Sequence, residues 1–256
     1  MTGGPRLGVM LYSVLDAALA DLAGTLDRIA SLGYLGVETY GVVEHWGAAR
    51  VRDEIARAGL ELTSAHTPFP SGPDALRLLD DAAELGATTL VWSMEREEFD
   101  TVDTLVAGVE RVNDAAALAG ARGMRIAYHN HFAEFQNRLD GRIAYDVLLE
   151  HLDPRVVLEV DAYWARMGGA DVAAVLAGLG DRVQYVHVKD GPARSYEDDV
   201  MVPIGTGEMD WPTILGANRA LAWHLVELER LPMEPFAALE QSYAYLTGTG
   251  LTTGAR

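Results

Sequence analysis

The 256-residue chain contains no cysteine. That excludes disulfides and thiolate metal sites, so any bound metal must be held by His, Asp and Glu; the lack also leans toward a cytoplasmic protein. Basic residues are scarce: 20 Lys and Arg stand against 38 Asp and Glu, for a formal charge of −18. A surface that acidic repels a phosphate backbone, so nucleic acid is not an expected partner. No apolar run approaches the roughly 18 residues of a membrane span, and Met1–Arg6 does not read as a signal peptide. No glycine-rich phosphate fingerprint follows the first strand-like run, which removes the usual nucleotide site of an open doubly wound sheet.

What is present is an alternation. Short apolar runs read as strands at Leu7–Leu11, Gly36–Glu38, Leu60–His66, Thr88–Trp92, Arg125–His129, Val156–Val160, Val183–Val188 and Leu221–Glu227. Between them lie segments with three- and four-residue apolar spacing, of which Val102, Leu105, Val109, Val112 and Ala116 form the cleanest stripe. Gly33 reads as the stop of the first helix, Asp210 as an N-cap with Pro212 just inside, and one helix is expected from about Trp46 to Ala58. Eight strands alternating with eight helices, the strands apolar on both faces, predict a single (β/α)₈ TIM barrel over 1–246 followed by a loose Gly- and Thr-rich tail, 247–256.

In such a barrel all strands end on one face, where chemistry sits. Those ends carry Tyr12, Glu38, His66, Trp92, His129 with Asn130 and His131, Asp161, His187 with Lys189, and Glu227 with Glu229. Singly, a strand-end histidine is usually structural, Asp161 can cap a loop and Glu227 can pair with Arg230. Jointly, His129, Asp161, His187 and Glu227 come from four neighbouring strands. Two imidazoles and two carboxylates suit Mn²⁺, with Zn²⁺ or Co²⁺ next, better than Mg²⁺ or Ca²⁺. A metal so held chelates adjacent oxygens of a ketose or polyol and stabilises an enediolate. Glu227, His129 and His66 are the candidate acid–base groups, with Glu134 as a further possibility. Tyr12, Glu38, Trp92, His131, Trp164 and Lys189 are the candidate substrate contacts, Lys189 for an anionic oxygen and the aromatics for stacking on a sugar ring. No Arg/Lys cluster at the strand ends marks a phosphate, which favours an unphosphorylated sugar. His45, His151 and His224 read as structural.

The segments LYSV (Leu11–Val14), GYLGVE (Gly33–Glu38), SAH (Ser64–His66), YHNH with EF (Tyr128–His131, Glu134–Phe135), LEVDAYW (Leu158–Trp164), VHVKDG (Val186–Gly191), PIGTGEMDW (Pro203–Trp211) and a late VE resemble the xylose-isomerase-like barrels of sugar isomerases and epimerases. The resemblance implies a divalent-metal-dependent isomerase or epimerase of a keto sugar or cyclitol, related barrels often being oligomers, with the last helix as a surface for self-association. It places the metal on His129, Asp161, His187 and Glu227, and Pro203–Trp211 in a loop beside the substrate. Two departures stand out: the epimerases of this family have a glutamate where His129 stands and commonly a histidine where Trp164 stands. Branches with a YHNH segment are similar to inosose dehydratases and to enzymes that eliminate a leaving group from 3-keto sugars. A lyase or dehydratase is therefore the alternative reaction.

Overall fold

The computed structural model describes residues 4–218 and 221–255; Met1–Gly3, at the head of the 1–246 barrel, and Arg256, at the end of the tail, lie outside the described residues. Eight parallel strands close on themselves: β1 (Arg6–Met10), β2 (Gly36–Thr39), β3 (Glu61–His66), β4 (Thr89–Trp92), β5 (Arg125–His129), β6 (Val157–Asp161), β7 (Val183–Val188) and β8 (Trp223–Val226). Each pairs with its neighbours in chain order, and β8 returns to β1 with Val226 opposite Val9. This is the single (β/α)₈ barrel that the alternating pattern predicts.

The interior fills from the bottom. Tyr185, Trp223 and Leu225 pack together as a floor, and glycines on β1 and β2 make room for them. A Cβ on Gly36 would lie 2.9 Å from the Trp223 ring, and one on Gly8 would lie 2.8 Å from Leu225. Above that apolar floor the inward positions turn polar, which reserves the upper half of the barrel for charged side chains.

Local differences from the sequence expectation have identifiable causes. The helix expected over Trp46–Ala58 is two, Val42–Trp46 and Ala48–Arg57, because Gly47 at φ 82° interrupts the ladder between them; His45 consequently lies inside a helix. After β5 come a short helix, Ala133–Gln136, and a two-residue-per-strand ribbon, Arg138–Leu139 with Arg142–Ile143. Its Asp140-Gly141 turn has both residues at positive φ, the chemistry of a tight hairpin. Asp210 caps its helix by accepting from the Thr213 N–H, and Gly33 follows the first long helix at φ 100°.

The tail read as loose is tied down instead. The last helix, Pro235–Gly248, buries Phe236, Leu239 and Leu246. Beyond it Thr253 exchanges backbone hydrogen bonds with Pro5 and Leu7, and Ala255 donates to Gly33. No helix among the described residues is long and apolar enough to cross a membrane.

His224 on β8 is structural in an unusual way. It pairs in register with Leu7 and Val186, so it shares their outward face toward the helices, is fully buried, and neither ring nitrogen has a hydrogen-bond partner. Burial holds its pKa down at about 3. The unfolded chain, titrating near 6.5, then binds the extra proton, so stability falls as pH drops from about 6.5 toward 3, by about 2 kcal/mol at pH 5. Urea titrations at pH 7 and pH 5 test this: replacing His224→Leu should remove about that much of the acid loss, and an unchanged difference would refute it.

Candidate active site

Inward-facing side chains converge above the floor because strand residues two apart share a face. From β2 and β3 come Glu38 and His66, from β5 His129, from β6 Glu159 and Asp161, from β7 His187 with Lys189 just beyond, and from the end of β8 Glu227. The register places Asp161 directly opposite His187. Glu38, Glu159, Asp161, His129, His187, Lys189 and Glu227 are all buried.

Charge is matched at short range. His187 Nδ1 lies 2.6 Å from Glu227 Oε2, and its Nε2 lies 2.9 Å from Glu38 Oε1 and 3.1 Å from Glu159 Oε1. His66 Nε2 reaches the same two oxygens at 3.1 and 3.2 Å, and Ser64 donates to the other oxygen of Glu38. His129 Nδ1 lies 3.1 Å from Glu159 Oε1, while its Nε2 faces Asp161 Oδ2 at 4.0 Å. The Lys189 ammonium sits between three carboxylates, 3.0 Å from Asp161, 3.0 Å from Glu227 and 2.7 Å from Glu229, with the Trp164 ring 5.0 Å away.

These neighbours decide the protonation states. Burial alone would lower His187, but Glu159, Glu38 and Glu227 outweigh it and raise it well above the usual imidazole range. Burial pulls His66 down too, yet Glu38 and Glu159 lift it to about 9. His129 goes the other way: burial, then the nearby cationic rings and Lys189, hold it well below its ordinary value. Burial and then Lys189 hold His131 at about 4. Burial would raise Glu227, but Lys189 and His187 keep it well below the carboxylate range. Asp161 is pushed up to about 6, mostly by burial.

Asp161 does two things at once. Its Oδ1 caps the helix Ala162–Met167 by accepting from the Trp164 N–H at 2.8 Å, whereas its Oδ2 accepts no hydrogen bond although buried, Lys189 approaching only as a charge. Asn130 fixes its backbone: Oδ1 accepts from Asp161 N at 3.0 Å and Nδ2 donates to Asp161 O at 3.2 Å. Glu227, read as a possible partner of Arg230, pairs with His187 and Lys189 instead. Arg230 lies over the Tyr196 ring.

Above the cluster opens a cavity of about 240 Å³, walled by Tyr12, Tyr40, His66, His131, Lys189 and Glu227 among others. That is below the roughly 300–1,000 Å³ of sites for drug-sized ligands, and it suits a small molecule. Trp92 and Trp164 lie outside its wall. Trp92 is one residue out of phase with the inward positions and stacks on Phe69 at 3.8 Å; Trp164 is buried behind His131, Phe132 and Lys189. Glu159 is the site residue that strand-end reading misses. Its signal is a lone acid inside the apolar run Val156–Asp161, on the same pleat face as Asp161.

The Pro203–Trp211 loop, expected beside the substrate, contributes no residue to the cavity wall; it is anchored by Asp190, which accepts from the N–H groups of Gly191, Gly205 and Met209 and from Trp211 Nε1.

Residues 26–246 match the family described as Xylose isomerase-like TIM barrel. The chain belongs to that family. Among similar solved structures, a sugar phosphate isomerase/epimerase from Parabacteroides distasonis is 25% identical, covers 98% of this chain and 96% of its own, and superposes with a TM-score of 0.81. An L-ribulose 3-epimerase structure at 16% identity, covering 96% of this chain and 94% of its own with a TM-score of 0.67, shares the fold. Among curated relatives, the inosose dehydratase of Salmonella typhimurium is 27% identical over 141 residues, 48% of this chain and 46% of that enzyme, so the match spans about half the relative's length. The inosose dehydratase of Geobacillus thermodenitrificans is 25% identical across 95% of this chain and 97% of its own.

Asn130→Ala should destabilise the protein by about 1–3 kcal/mol, because it orphans the buried Asp161 N–H. A chemical denaturation midpoint within error of wild type would show that the clamp is dispensable.

Proposed function

We propose that the protein is a divalent-metal-dependent isomerase or epimerase of a small, unphosphorylated keto sugar or cyclitol, working by proton removal next to a carbonyl. The observation that carries this reading is the position of Glu227, a carboxylate on the cavity wall that also belongs to the buried Asp161–His187–Glu227 group. The donor set fits a divalent cation: the ligand atoms of Asp161, His187 and Glu227 lie within 4.8 Å of one another, His129 Nε2 faces Asp161 Oδ2 from 4.0 Å, and the buried Asp161 Oδ2 has no hydrogen bond. His129, Asp161, His187 and Glu227 would hold it. When bound it would supply Lewis-acid polarisation of a substrate carbonyl, with Mn²⁺ preferred over Zn²⁺ or Co²⁺.

Glu227 is charged at neutral pH and is the base. A carboxylate held this low removes only an acidified proton, which is why the reading couples it to a polarised carbonyl. His66, also on the cavity wall, carries a proton up to about pH 9 and is the acid that delivers one to the intermediate. Tyr12 and His131 complete the wall and orient hydroxyl groups. Among the described residues the cavity lining includes Glu227 and Glu229 but no arginine, and its one lysine is held by three carboxylates, which supports a substrate without a phosphate.

A second ending is favoured by a specific observation. The acid and base are unlike, a histidine and a glutamate rather than two facing carboxylates, and His66 is suited to protonating a departing hydroxyl. The same enolate would then lose water, as the names of the curated inosose dehydratases suggest.

Elemental analysis of the purified protein, paired with deuterium uptake from D₂O into ketoses, inososes and 3-keto sugars followed by NMR, tests the proposal. Bound metal with exchange is the expected result, and the product distinguishes isomerase from dehydratase. Asp161→Ala and His187→Ala should each lose the metal; full metal content in both would sink the ligand set. Glu227→Gln should slow exchange by about 10²-fold or more while retaining part of the metal.

A further inference from the structure

Tyr40, His66 and Ser93 each line two cavities. One is the cavity above the charged layer; the other, about 370 Å³, adjoins it across these three residues and is walled further by Glu44, Thr67, Trp92 and Glu95 among others. The second is the larger, about 370 against about 240 Å³, so a molecule seated in the first has room beside it for a group of its own size.

Strand order gives the recess its direction. β3 lies between β2 and β4; Tyr40 follows β2, His66 ends β3 and Trp92 ends β4. The second cavity therefore sits over the end of β3, with an aromatic side chain from each neighbouring strand. Asp161, His187 and Glu227 come from β6, β7 and the end of β8, across the barrel. A ligand with its reacting end at that group extends away from it, toward Tyr40 and Trp92.

The walls select what would lie there. Phe69 stacks on Trp92 at 3.8 Å without itself lining the cavity, so it braces the indole and leaves the rest of that ring to a ligand. Tyr40 is 40% exposed and stands edge-on to Tyr12 at 5.0 Å. Aromatic side chains of this kind pack against the C–H faces of a sugar ring. The Glu44 and Glu95 carboxylates accept from ring hydroxyls, and the Thr67 and Ser93 hydroxyls accept or donate. Among the described residues no arginine or lysine lines this cavity, and its two carboxylates repel an anionic group. A further recess along Phe132 and Tyr196 also meets the site, at Ser93 and His131, but it carries Arg96 beside its carboxylates and does not single out a neutral ring.

We propose that the cavity between Tyr40 and Trp92 is a second-ring subsite, so that the substrate is a neutral sugar carrying a second sugar ring rather than a free monosaccharide. This rests on the reading of the first cavity as a sugar site and says what that sugar is attached to. Trp92 is then a specificity-determining residue: it touches the appended ring and not the reacting one, which is why it lies outside the wall of the first cavity.

The test is binding rather than turnover, on the full chain as purified. Dissociation constants are measured by NMR titration for D-glucose and for maltose, cellobiose, isomaltose and trehalose, which differ in linkage. At least one disaccharide should bind about tenfold tighter than glucose, with intermolecular NOEs from its second ring to the Trp92 indole, a readout that needs no variant to fold. Trp92→Ala should bring the ratio of the two constants close to one. Glu44→Gln, at an exposed position, should lower the ratio without disturbing packing, and Tyr196→Ala should leave it unchanged. Equal constants for glucose and every disaccharide overturn the inference. A gain that survives Trp92→Ala and is lost in Tyr196→Ala overturns it too, by placing the ring in the other recess. Disaccharide preference in a chain without metal or deuterium exchange keeps the subsite and removes the isomerase reading; metal and exchange on free ketoses with no disaccharide preference does the reverse. No measurable binding of any sugar overturns both.

Discussion

The upper half of this barrel is organised by the need to bury carboxylates without leaving them unpaired. Glu38, Glu159, Asp161 and Glu227 are withdrawn from water inside one closed sheet, and a buried charge left alone carries a penalty of several kcal/mol. The protein answers with His66, His187 and Lys189, each within about 3 Å of two or more carboxylates. The arrangement is reciprocal: the acids raise the imidazoles, and the imidazoles lower Glu38. Below it the Trp223 and Tyr185 floor closes the barrel, so the charged layer has an apolar base and opens only upward.

Much of this was legible in the chain, and the exceptions follow a rule. The βα alternation gives the barrel, since apolar runs flanked by helical stripes have few other solutions. The strand ends give Asp161, His187 and Glu227, whose ligand atoms lie within 4.8 Å of one another, and His129, which groups instead with His66, His187 and Glu159. What failed was parity. Trp92 ends β4 but stands out of phase with the inward positions, so it stacks on Phe69 rather than facing the cavity. Glu159 lies inside its strand, in phase with Asp161, and a reading that stops at strand ends passes over it. Trp164 enters a helix capped by Asp161, and its place behind Lys189 depends on packing that spacing does not encode. The break at Gly47 and the Asp140-Gly141 ribbon are written in local residues, but both are subordinate to a stronger surrounding pattern.

His129 marks the chemical distinction within the family resemblance. A glutamate there would add a further negative charge to a layer already rich in them. An imidazole adds a neutral nitrogen instead, and burial with cationic neighbours keeps it neutral. The proposed reaction then pairs one carboxylate, Glu227, with one imidazole, His66, two groups of different proton affinity.

The backbone bonds joining Thr253 to Pro5 and Leu7 have a topological consequence. They bring Pro5 and Thr253 side by side at the start of β1, at the opposite end of the barrel from the charged layer. A short linker from the segment after Thr253 to the segment before Pro5 would make the barrel's polypeptide circular, and reopening it at Gly123, an open turn ahead of β5 with φ 75°, would give a permuted barrel with every strand pairing available. Which strand is synthesised first is therefore separable from the architecture.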